Sequence, residues 1–286
     1  MTAIQYLYGK NSYQPNFNNK DWKNNDYSFS MKNKDVPIQT PAPPIFNYAN
    51  PQPSNLCTDG RFDAITLLQD GYTYVFKGSN VYKFDPNFVL DSTFPKLIRS
   101  LFGRWDGLTW ISIPENLDTI LFVPDSGKAY FFKDDLYWRT TFYELDSGYP
   151  KVISENFNGL NNANGFYGKL DASFLWSGNG RVYFVAGDKY WRYDLKRMEV
   201  EYGYPKSLSL WRGLPIKITD AFLWTNGATY FFSDEYYYRF NDLAFKVEDA
   251  IPPYPRSVID GWFGCQSRLG NIPKFLSLQN IVNLIQ

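Results

Sequence analysis

The sequence predicts an all-β protein in which four repeats close into a ring, a four-bladed β-propeller. One sequence motif recurs four times at intervals of about fifty residues, which is the repeat length of propeller blades and similar arrays. It consists of an apolar residue and Asp, a short strand, an aromatic couplet and a Tyr/Phe-Pro step. Aromatic side chains make up 20% of the chain and fall at the repeat positions, as expected of rings packed in a core. A single repeat cannot bury its apolar face alone, so the repeats must stack on one another.

Each repeat is expected to contain three clear strands. The first strands follow Asp63, Asp118, Asp171 and Asp220. A Gly-containing turn leads to a second strand rich in Tyr and Phe, and the third strand alternates aromatic residues with Lys or Arg, which gives one buried and one wet face. The fourth strand is weakly marked and is expected in the variable part before each Tyr/Phe-Pro step. The Pro of that step is expected to start a short helix.

The repeats are flanked by segments of different composition. The repeats are assigned to residues 57–265, with blades at about 57–113, 114–166, 167–215 and 216–265. Residues 1–9 have the apolar spacing of two helical turns, and residues 10–56 are rich in Asn and Pro, which is typical of a flexible linker. Aromatic residues in that linker are alternatively contacts for a partner or for the propeller surface. The tail, residues 266–286, ends in an uncharged run that is too short and too polar to span a membrane.

Composition excludes several classes of function. Lys plus Arg equals Asp plus Glu, 29 of each, so the chain has no positive net charge that would attract nucleic acid or an anionic membrane. The chain contains no His, which excludes a His-based zinc site, a Ser-His or Cys-His nucleophile and a haem held by His. Acidic pairs such as Asp134 with Asp135 fall in predicted turns, where solvated side chains are expected. No catalytic residue is therefore predicted.

Two cysteines, Cys57 and Cys265, bracket the repeats. A closed ring brings its first and last strands together, so a disulfide between them would lock the circle across about 200 residues. Two buried thiols are the alternative. A structural disulfide implies an oxidising compartment, whereas the first residues lack the pattern of a secretory signal. The chain is therefore expected to be either cytosolic or an internal piece of a secreted protein.

The repeats resemble the hemopexin-like domain, which is a four-bladed β-propeller. The resemblance is carried by residues 62–65 (Phe-Asp-Ala-Ile), 137–139 (Tyr-Trp-Arg) and 262–265 (Trp-Phe-Gly-Cys). Residues 3–9 resemble the end of the catalytic domain of a matrix metalloproteinase, in which a Pro-rich linker then leads to the propeller. The His-Glu-x-x-His helix that holds zinc in such an enzyme is absent, so this chain cannot hydrolyse peptides by that mechanism.

The resemblance implies a non-catalytic recognition domain of a matrix metalloproteinase, secreted or in the extracellular matrix. Expected partners are matrix proteins such as collagen, tissue inhibitors of metalloproteinases, cell-surface proteins or a second copy of the chain, with no nucleic acid and no transmembrane segment. Zinc would belong only to the missing catalytic domain. The alternative is a standalone hemopexin-repeat binding protein with no protease partner.

An ion in the central channel, usually assigned as calcium in this family, is the implied cofactor. The resemblance places it on backbone carbonyl groups of Asp63, Asp118, Asp171 and Asp220, which are oxygen ligands of the kind that hard cations prefer. Blade two departs from the Asp-Ala pattern with Thr119. In the alternative interpretation each Asp orients the start of its strand, and the channel holds only water.

Overall fold

The computed structural model describes residues 55–265, which form four successive sheets, numbered here as blades 1 to 4. Blade 1 contains β1 (Ala64–Leu67), β2 (Thr73–Lys77), β3 (Asn80–Phe84) and β4 (Lys96–Leu97). Blade 2 contains β5 (Gly103–Trp105), β6 (Trp110–Ser112), β7 (Thr119–Val123), β8 (Lys128–Lys133), β9 (Leu136–Thr141), β10 (Glu144–Leu145) and β11 (Lys151–Val152). Blade 3 contains β12 (Ala172–Leu175), β13 (Val182–Ala186), β14 (Lys189–Asp194), β15 (Glu199–Val200) and β16 (Lys206–Ser207). Blade 4 contains β17 (Asp220–Leu223), β18 (Thr229–Ser233), β19 (Tyr236–Asn241), β20 (Lys246–Val247) and β21 (Arg256–Ser257).

The helices are single turns at the ends of the repeats. They are α1 (Leu56–Asp59), α2 (Ile98–Leu101), α3 (Ile153–Asn156) and α4 (Val258–Gly261), with 3-10 turns at Asn162–Asn164 and Leu208–Leu210. Within residues 55–265 no helix is long and apolar enough to cross a membrane. The predicted helical remnant (1–9), nearly all of the linker (10–54) and the tail (266–286) lie outside the described residues.

The first strands of the four blades meet around a common axis. Strand β1 contacts β7 and β17, and β12 contacts the same two strands. The cyclic order β1, β7, β12, β17 is therefore closed, and each blade extends outward from its first strand through an antiparallel second and third strand. This confirms the predicted fold class, a four-bladed β-propeller.

An aromatic residue after each short helix or turn fills the seam between two blades. These seam residues are Phe102, Phe157, Trp211 and Trp262. Phe102 illustrates the arrangement, since its ring centroid lies 5.6 Å from that of Phe76 in blade 1 and 5.3 Å from that of Phe131 in blade 2. All four seam residues are buried, so much of the unusual aromatic content of the chain serves to join blades.

The Tyr/Phe-Pro step does not start a helix, and that prediction was wrong. The Phe94–Pro95 bond is cis, and the next two residues form β4, which pairs with β3 before α2 begins at Ile98. The later blades repeat the pattern with β11, β16 and β21. The physical reason is that the outer edge of the third strand in each blade has unpaired backbone groups. The two residues after each Pro form hydrogen bonds with these groups. The weak fourth strand is confirmed in blades 2 to 4, where it is only two residues long.

The ring closes between blades 1 and 4. Cys57 and Cys265 form a disulfide with their Cα atoms 5.6 Å apart, which confirms the predicted bridge. The ring of Phe62 lies 5.0 Å from that of Phe232, and Arg61 pairs with Glu235 at 3.3 Å. The chain ends of the propeller are thus joined covalently and by side-chain packing.

Candidate functional site: the central channel

Three of the four predicted site residues use their side chains to brace the blade around them. The carboxylate of Asp63 accepts a hydrogen bond from the Gly78 amide at 2.6 Å, at the turn between the second and third strands. Asp118 accepts one in the same way from the amide of Asp134, at 2.5 Å, and Asp171 from that of Gly187, at 2.7 Å. Each carboxylate therefore fixes the start of its first strand to the turn of its own blade.

The electrostatic surroundings of these carboxylates differ. Burial raises the pKa of Asp63 above its ordinary value, although the Gly78 hydrogen bond and nearby Lys77 oppose the shift. Asp118 has two lysines close to its carboxylate, Lys169 at 3.3 Å and Lys133 at 3.5 Å. Blade 2 therefore holds its acid in a more cationic environment than blade 1.

Asp220 does not occupy the position equivalent to the other three, so its assumed equivalence was wrong. In the ladders between first and second strands, Ala64 lies opposite Phe76 and Ala172 opposite Val185, and Asp220 lies at that same position, opposite Phe232. The residue equivalent to the bracing acids is Thr219, whose amide donates to the Phe232 carbonyl at 2.8 Å.

The sequence contained a signal for this register. The Phe-Leu-Trp triplets at residues 174–176 and 222–224 align blades 3 and 4 so that Asp220 corresponds to Ala172. The more conspicuous Asp-Ala pairs instead align Asp220 with Asp171, which is a shift of one residue. The pairing of strands follows the triplets because their Phe side chains are both buried in the core. The misleading Asp-Ala pair in blade 4 is thus coincidental.

The innermost position alternates around the axis between Ala and a polar residue: Ala64, Thr119, Ala172 and Asp220 in blades 1 to 4. Each polar side chain satisfies a backbone amide of the following blade. Asp220 accepts from the Ile65 amide at 2.6 Å, and Thr119 accepts from the Ser173 amide at 2.9 Å. The alternation lets two polar side chains fit in a crowded axis because their neighbours are small.

These contacts join into one buried polar cluster, which sequence reasoning missed. The Thr119 hydroxyl donates to Asp220 Oδ1 at 2.8 Å and lies 3.1 Å from the hydroxyl of Ser173. The Ala221 amide also donates to Asp220, at 2.9 Å. All three donors to Asp220 are neutral, and burial raises the pKa of this carboxyl well above its ordinary value. The cluster thus places several oxygen atoms on the axis, and none of the three donors to Asp220 carries a positive charge.

Beside this cluster the channel widens into a small cavity of about 40 Å³. Its lining is mainly apolar, with Phe222 and Ile120 among the walls and the polar side chains of Thr66, Ser173 and Thr225. A volume of that size holds an ion or a few waters. Among residues 55–265 no three His, Cys, Asp or Glu side chains form a metal-binding group, so an ion on the axis would need backbone or hydroxyl oxygens among its ligands.

The blade edges carry a second recurrent arrangement, in which cations flank a Tyr ring. The Arg139 guanidinium and the Lys151 amine both lie 5.1 Å from the centre of the Tyr149 ring. Arg139 also donates to Asp146 at 2.5 Å, and Lys128 contacts the same carboxylate at 3.0 Å. These contacts stiffen the rim, since the Arg139 guanidinium is held by both the Tyr149 ring and the Asp146 carboxylate.

A larger cavity, about 340 Å³, lies between blades 2 and 3. Apolar walls from Pro124, Leu175 and Leu195 surround it, and half-exposed Met198 stands at its edge. The volume is in the range of cavities that receive a small molecule or a partner's side chains. It adjoins the channel cavity, since Pro124 and Leu175 line both.

These features define the class: a disulfide-closed, four-bladed propeller with a buried polar cluster on its axis. The Hemopexin family model matches all four blades, at residues 62–103, 117–162, 170–215 and 218–265. The chain belongs to the hemopexin family. The fourth match begins at Ile218, in agreement with the observed register of Thr219.

Individual relatives are matrix metalloproteinases and vitronectins. The chain is 30% identical to Matrix metalloproteinase-2 of Drosophila melanogaster over 202 residues, which cover 70% of this chain and 24% of that protein. It is 35% identical to vitronectin of Oryctolagus cuniculus over 155 residues, covering 52% of this chain and 29% of the relative. The chain therefore spans less than a third of either relative. Among solved structures, the hemopexin fold protein CP4 from cow pea has a TM-score of 0.57 at 21% identity, covering 71% of this chain and 96% of that one.

Proposed function

We propose that this chain is the non-catalytic recognition domain of a matrix metalloproteinase. The observation that carries the proposal is the hemopexin family match in every blade, together with similarity to a matrix metalloproteinase over 70% of the chain. The absence of His from the sequence supports a division of labour, in which zinc and peptide hydrolysis belong to a separate catalytic domain. This domain would then choose what the enzyme acts on.

The proposed partners are matrix proteins such as collagen, tissue inhibitors of metalloproteinases, cell-surface proteins or a second copy of the chain, all in the extracellular space. The disulfide supports that location because such bonds persist in oxidising compartments. The cavity between blades 2 and 3 is a suitable contact surface, since it combines apolar walls with the half-exposed Met198.

Binding is tested with the whole chain immobilised for surface plasmon resonance against collagen and a tissue inhibitor of metalloproteinases. We expect a Kd in the micromolar range or below for at least one of them, about −8 kcal/mol or stronger. Met198→Asp at the cavity edge should weaken that binding about tenfold, whereas Leu243→Asp, an exposed site on blade 4, should not. An absence of binding to any matrix or inhibitor ligand would contradict the proposal.

A standalone hemopexin-repeat binding protein is the second candidate. The similarity to vitronectin favours it, because the identity of 35% is higher than to the matrix metalloproteinase, although it covers only 52% of this chain. The two candidates make the same binding prediction and differ in whether a protease is encoded in the same protein.

We also propose that the channel binds calcium as a structural ion. The ligands would be backbone carbonyl oxygens of Asp63, Asp118 and Asp171, with Thr219 in blade 4 in place of Asp220. The buried polar cluster supports a hard cation nearby, because it places the oxygen atoms of Thr119, Ser173 and Asp220 on the axis. Bound calcium would hold the four first strands together.

Calcium binding is tested by melting the whole chain with excess calcium and with a chelator, together with elemental analysis. Saturation at a hundred times Kd should stabilise the fold by about 2.7 kcal/mol. This corresponds to a rise in Tm of about 5 to 10 °C for a domain of this size. Equal melting temperatures and a metal-free protein would refute the calcium site without affecting the recognition proposal.

A further inference from the structure

The hairpin formed by β5 and β6 stands apart from the hemopexin repeat. The family match stops at residue 103 and resumes at 117, so most of this hairpin lies outside it. It extends blade 2 outward, because β5 pairs in parallel with β10. Three of its large apolar side chains are exposed: Trp105 by 62%, Trp110 by 48% and Leu108 by 86%. An added element with this composition needs a function of its own.

The two tryptophans form an aromatic ridge, in which contacts hold Trp110 in place. They lie directly opposite each other across the hairpin, which places both side chains on one face. The Trp110 indole covers Gly103, where an added Cβ would come within 2.7 Å of the ring, and its N–H donates to the Arg99 carbonyl at 2.6 Å. Its polar atom is therefore satisfied, and its position is set, while about half of the residue stays open to solvent.

The size and charge of this ridge favour a short linear segment as its occupant. The exposed apolar surface of the hairpin is roughly 400 Å², given the usual area of such side chains. A stable dimer needs about 800 Å² from each partner, so the ridge alone is too small for a second copy. Asp106 at the tip accepts from the amides of Leu108 and Thr109, both at 2.8 Å, and its charge disfavours insertion into a membrane.

A suitable segment is tethered close to the ridge. The sequence has prolines at 41, 43, 44, 51 and 53, just before the first described residue, Asn55. Pro-rich segments favour an extended helix that docks against exposed aromatic rings. Lys77, the last residue of β2, donates to the Asn55 carbonyl at 3.0 Å, and the carbonyl of the next residue, Gly78, accepts from the Asn116 amide at 3.1 Å. Asn55, the first described residue after the Pro-rich segment, and Asn116, four residues after the end of β6, thus contact neighbouring residues of blade 1.

The reach of the Pro-rich segment extends well beyond these contacts. Eleven residues separate Pro44 from Asn55 (55 − 44), which span about 34 Å at the rise of a polyproline helix. We propose that the β5–β6 hairpin docks the Pro-rich segment, residues 41–53, of the same chain through Trp105 and Trp110. Docking would hold whatever precedes the propeller against blade 2 and so limit its orientations. This goes beyond the recognition function and does not depend on it.

The test uses chymotrypsin on the whole chain, because the segment contains two cleavage sites, after Phe46 and Tyr48. Cleavage after Phe17, well upstream, serves as an internal reference in the same digest. With an effective concentration of about 1 mM and a site Kd of about 0.3 mM, docking should slow segment cleavage about fourfold relative to the reference. Trp105→Ser with Trp110→Ser should abolish this protection.

Two further variants control for the aromatic rings themselves and for the loss of an exposed apolar side chain elsewhere. Trp105→Phe with Trp110→Phe retains the aromatic faces and should keep at least about half of the protection. Leu243→Ser removes an equally exposed apolar side chain from blade 4 and should change nothing. If the double Ser variant melts early, the single Trp105→Ser variant replaces it, since that residue is largely exposed.

The outcomes separate the possible occupants. Protection that is lost only when the Trp side chains are removed, and that does not change on dilution, supports the proposal. Equal cleavage in all variants overturns it. Protection that disappears on dilution assigns the ridge to a second copy and also overturns it. Unchanged cleavage together with Trp-dependent sedimentation on phosphatidylcholine–phosphatidylserine vesicles assigns the ridge to a membrane and likewise overturns the proposal.

Discussion

Removing the disulfide is the perturbation whose effect on the ring can be worked out most directly. Cys57 and Cys265 are 208 residues apart, so the bridge closes almost the whole propeller into one loop. The chain-entropy relation for a loop of that length gives about 5 kcal/mol of stabilisation through the unfolded state, and measured values usually fall below this relation. We expect Cys57→Ser with Cys265→Ser to lower the free energy of unfolding by about 4 kcal/mol.

That loss corresponds to a fall in Tm of about 10 °C for a domain of about 200 residues. The assay is thermal and urea unfolding of the oxidised chain, the reduced chain and the double Ser variant. Reductant should lower the Tm of the unmodified chain to that of the variant and leave the variant itself unchanged. The variant should keep the fold, because Phe62 and Trp262 still pack across the seam between blades 1 and 4. Equal unfolding midpoints for the oxidised chain and the variant would show that the bridge does not stabilise the ring.

Three further predictions concern single sites. Asp220→Ala removes the acceptor for three buried donors and should cost about 2 kcal/mol in urea unfolding, with Asp220→Asn costing less; a stabilised Ala variant would contradict the role of the cluster. Burial alone would raise the pKa of Asp146, but hydrogen bonds from Lys128 and its neighbours outweigh that effect and lower it. The stabilisation from ionised Asp146 is therefore present above about pH 4 and is lost as the pH falls through the lowered pKa. Asp146→Asn should accordingly reduce the fall in Tm that the unmodified chain shows at acidic pH. The same fall in Tm in both proteins would contradict this role of Asp146. Gly103→Ala places a Cβ 2.5 Å from the Ile111 carbonyl oxygen and should cost about 1 to 3 kcal/mol, and full stability would show that the hairpin adjusts freely.

The sequence was sufficient to predict the propeller because the repeat appears in several independent signals. The spacing of the Asp residues, the Tyr-Phe couplets and the Tyr/Phe-Pro steps all require the same period. The seam residues Phe102, Phe157, Trp211 and Trp262 also lie where the repeat predicts apolar side chains. A long, redundant pattern tolerates errors in any one element.

The axial site was less predictable because it depends on register, which a single residue can shift. The Asp-Ala pair at 220–221 imitates the pair at 171–172, and only the following Phe-Leu-Trp triplet reveals the offset. Contacts such as that of Asp220 with the Ile65 amide join residues from different blades, and no local pattern encodes them. The polar cluster could therefore be found only once the strands were paired.

The β5–β6 hairpin was missed although its turn carries a recognisable signal. Asp106-Gly107 between alternating apolar residues is typical of a hairpin. The repeat interpretation assigned this stretch to the end of blade 1, and the hairpin instead extends blade 2 through β10. The free edge of β10, which β5 joins, exists only once blade 2 has folded.

The central claim is that this propeller serves as the recognition part of a secreted metalloproteinase. The most direct measurement is to sequence, in the native organism, the transcript on the 5′ side of the codon for Met1. We expect an open reading frame that continues upstream in frame and encodes a His-Glu-x-x-His zinc-binding helix preceded by a secretory signal. A transcript with an in-frame stop codon directly before Met1 and no protease sequence would contradict it and would favour the standalone binding protein.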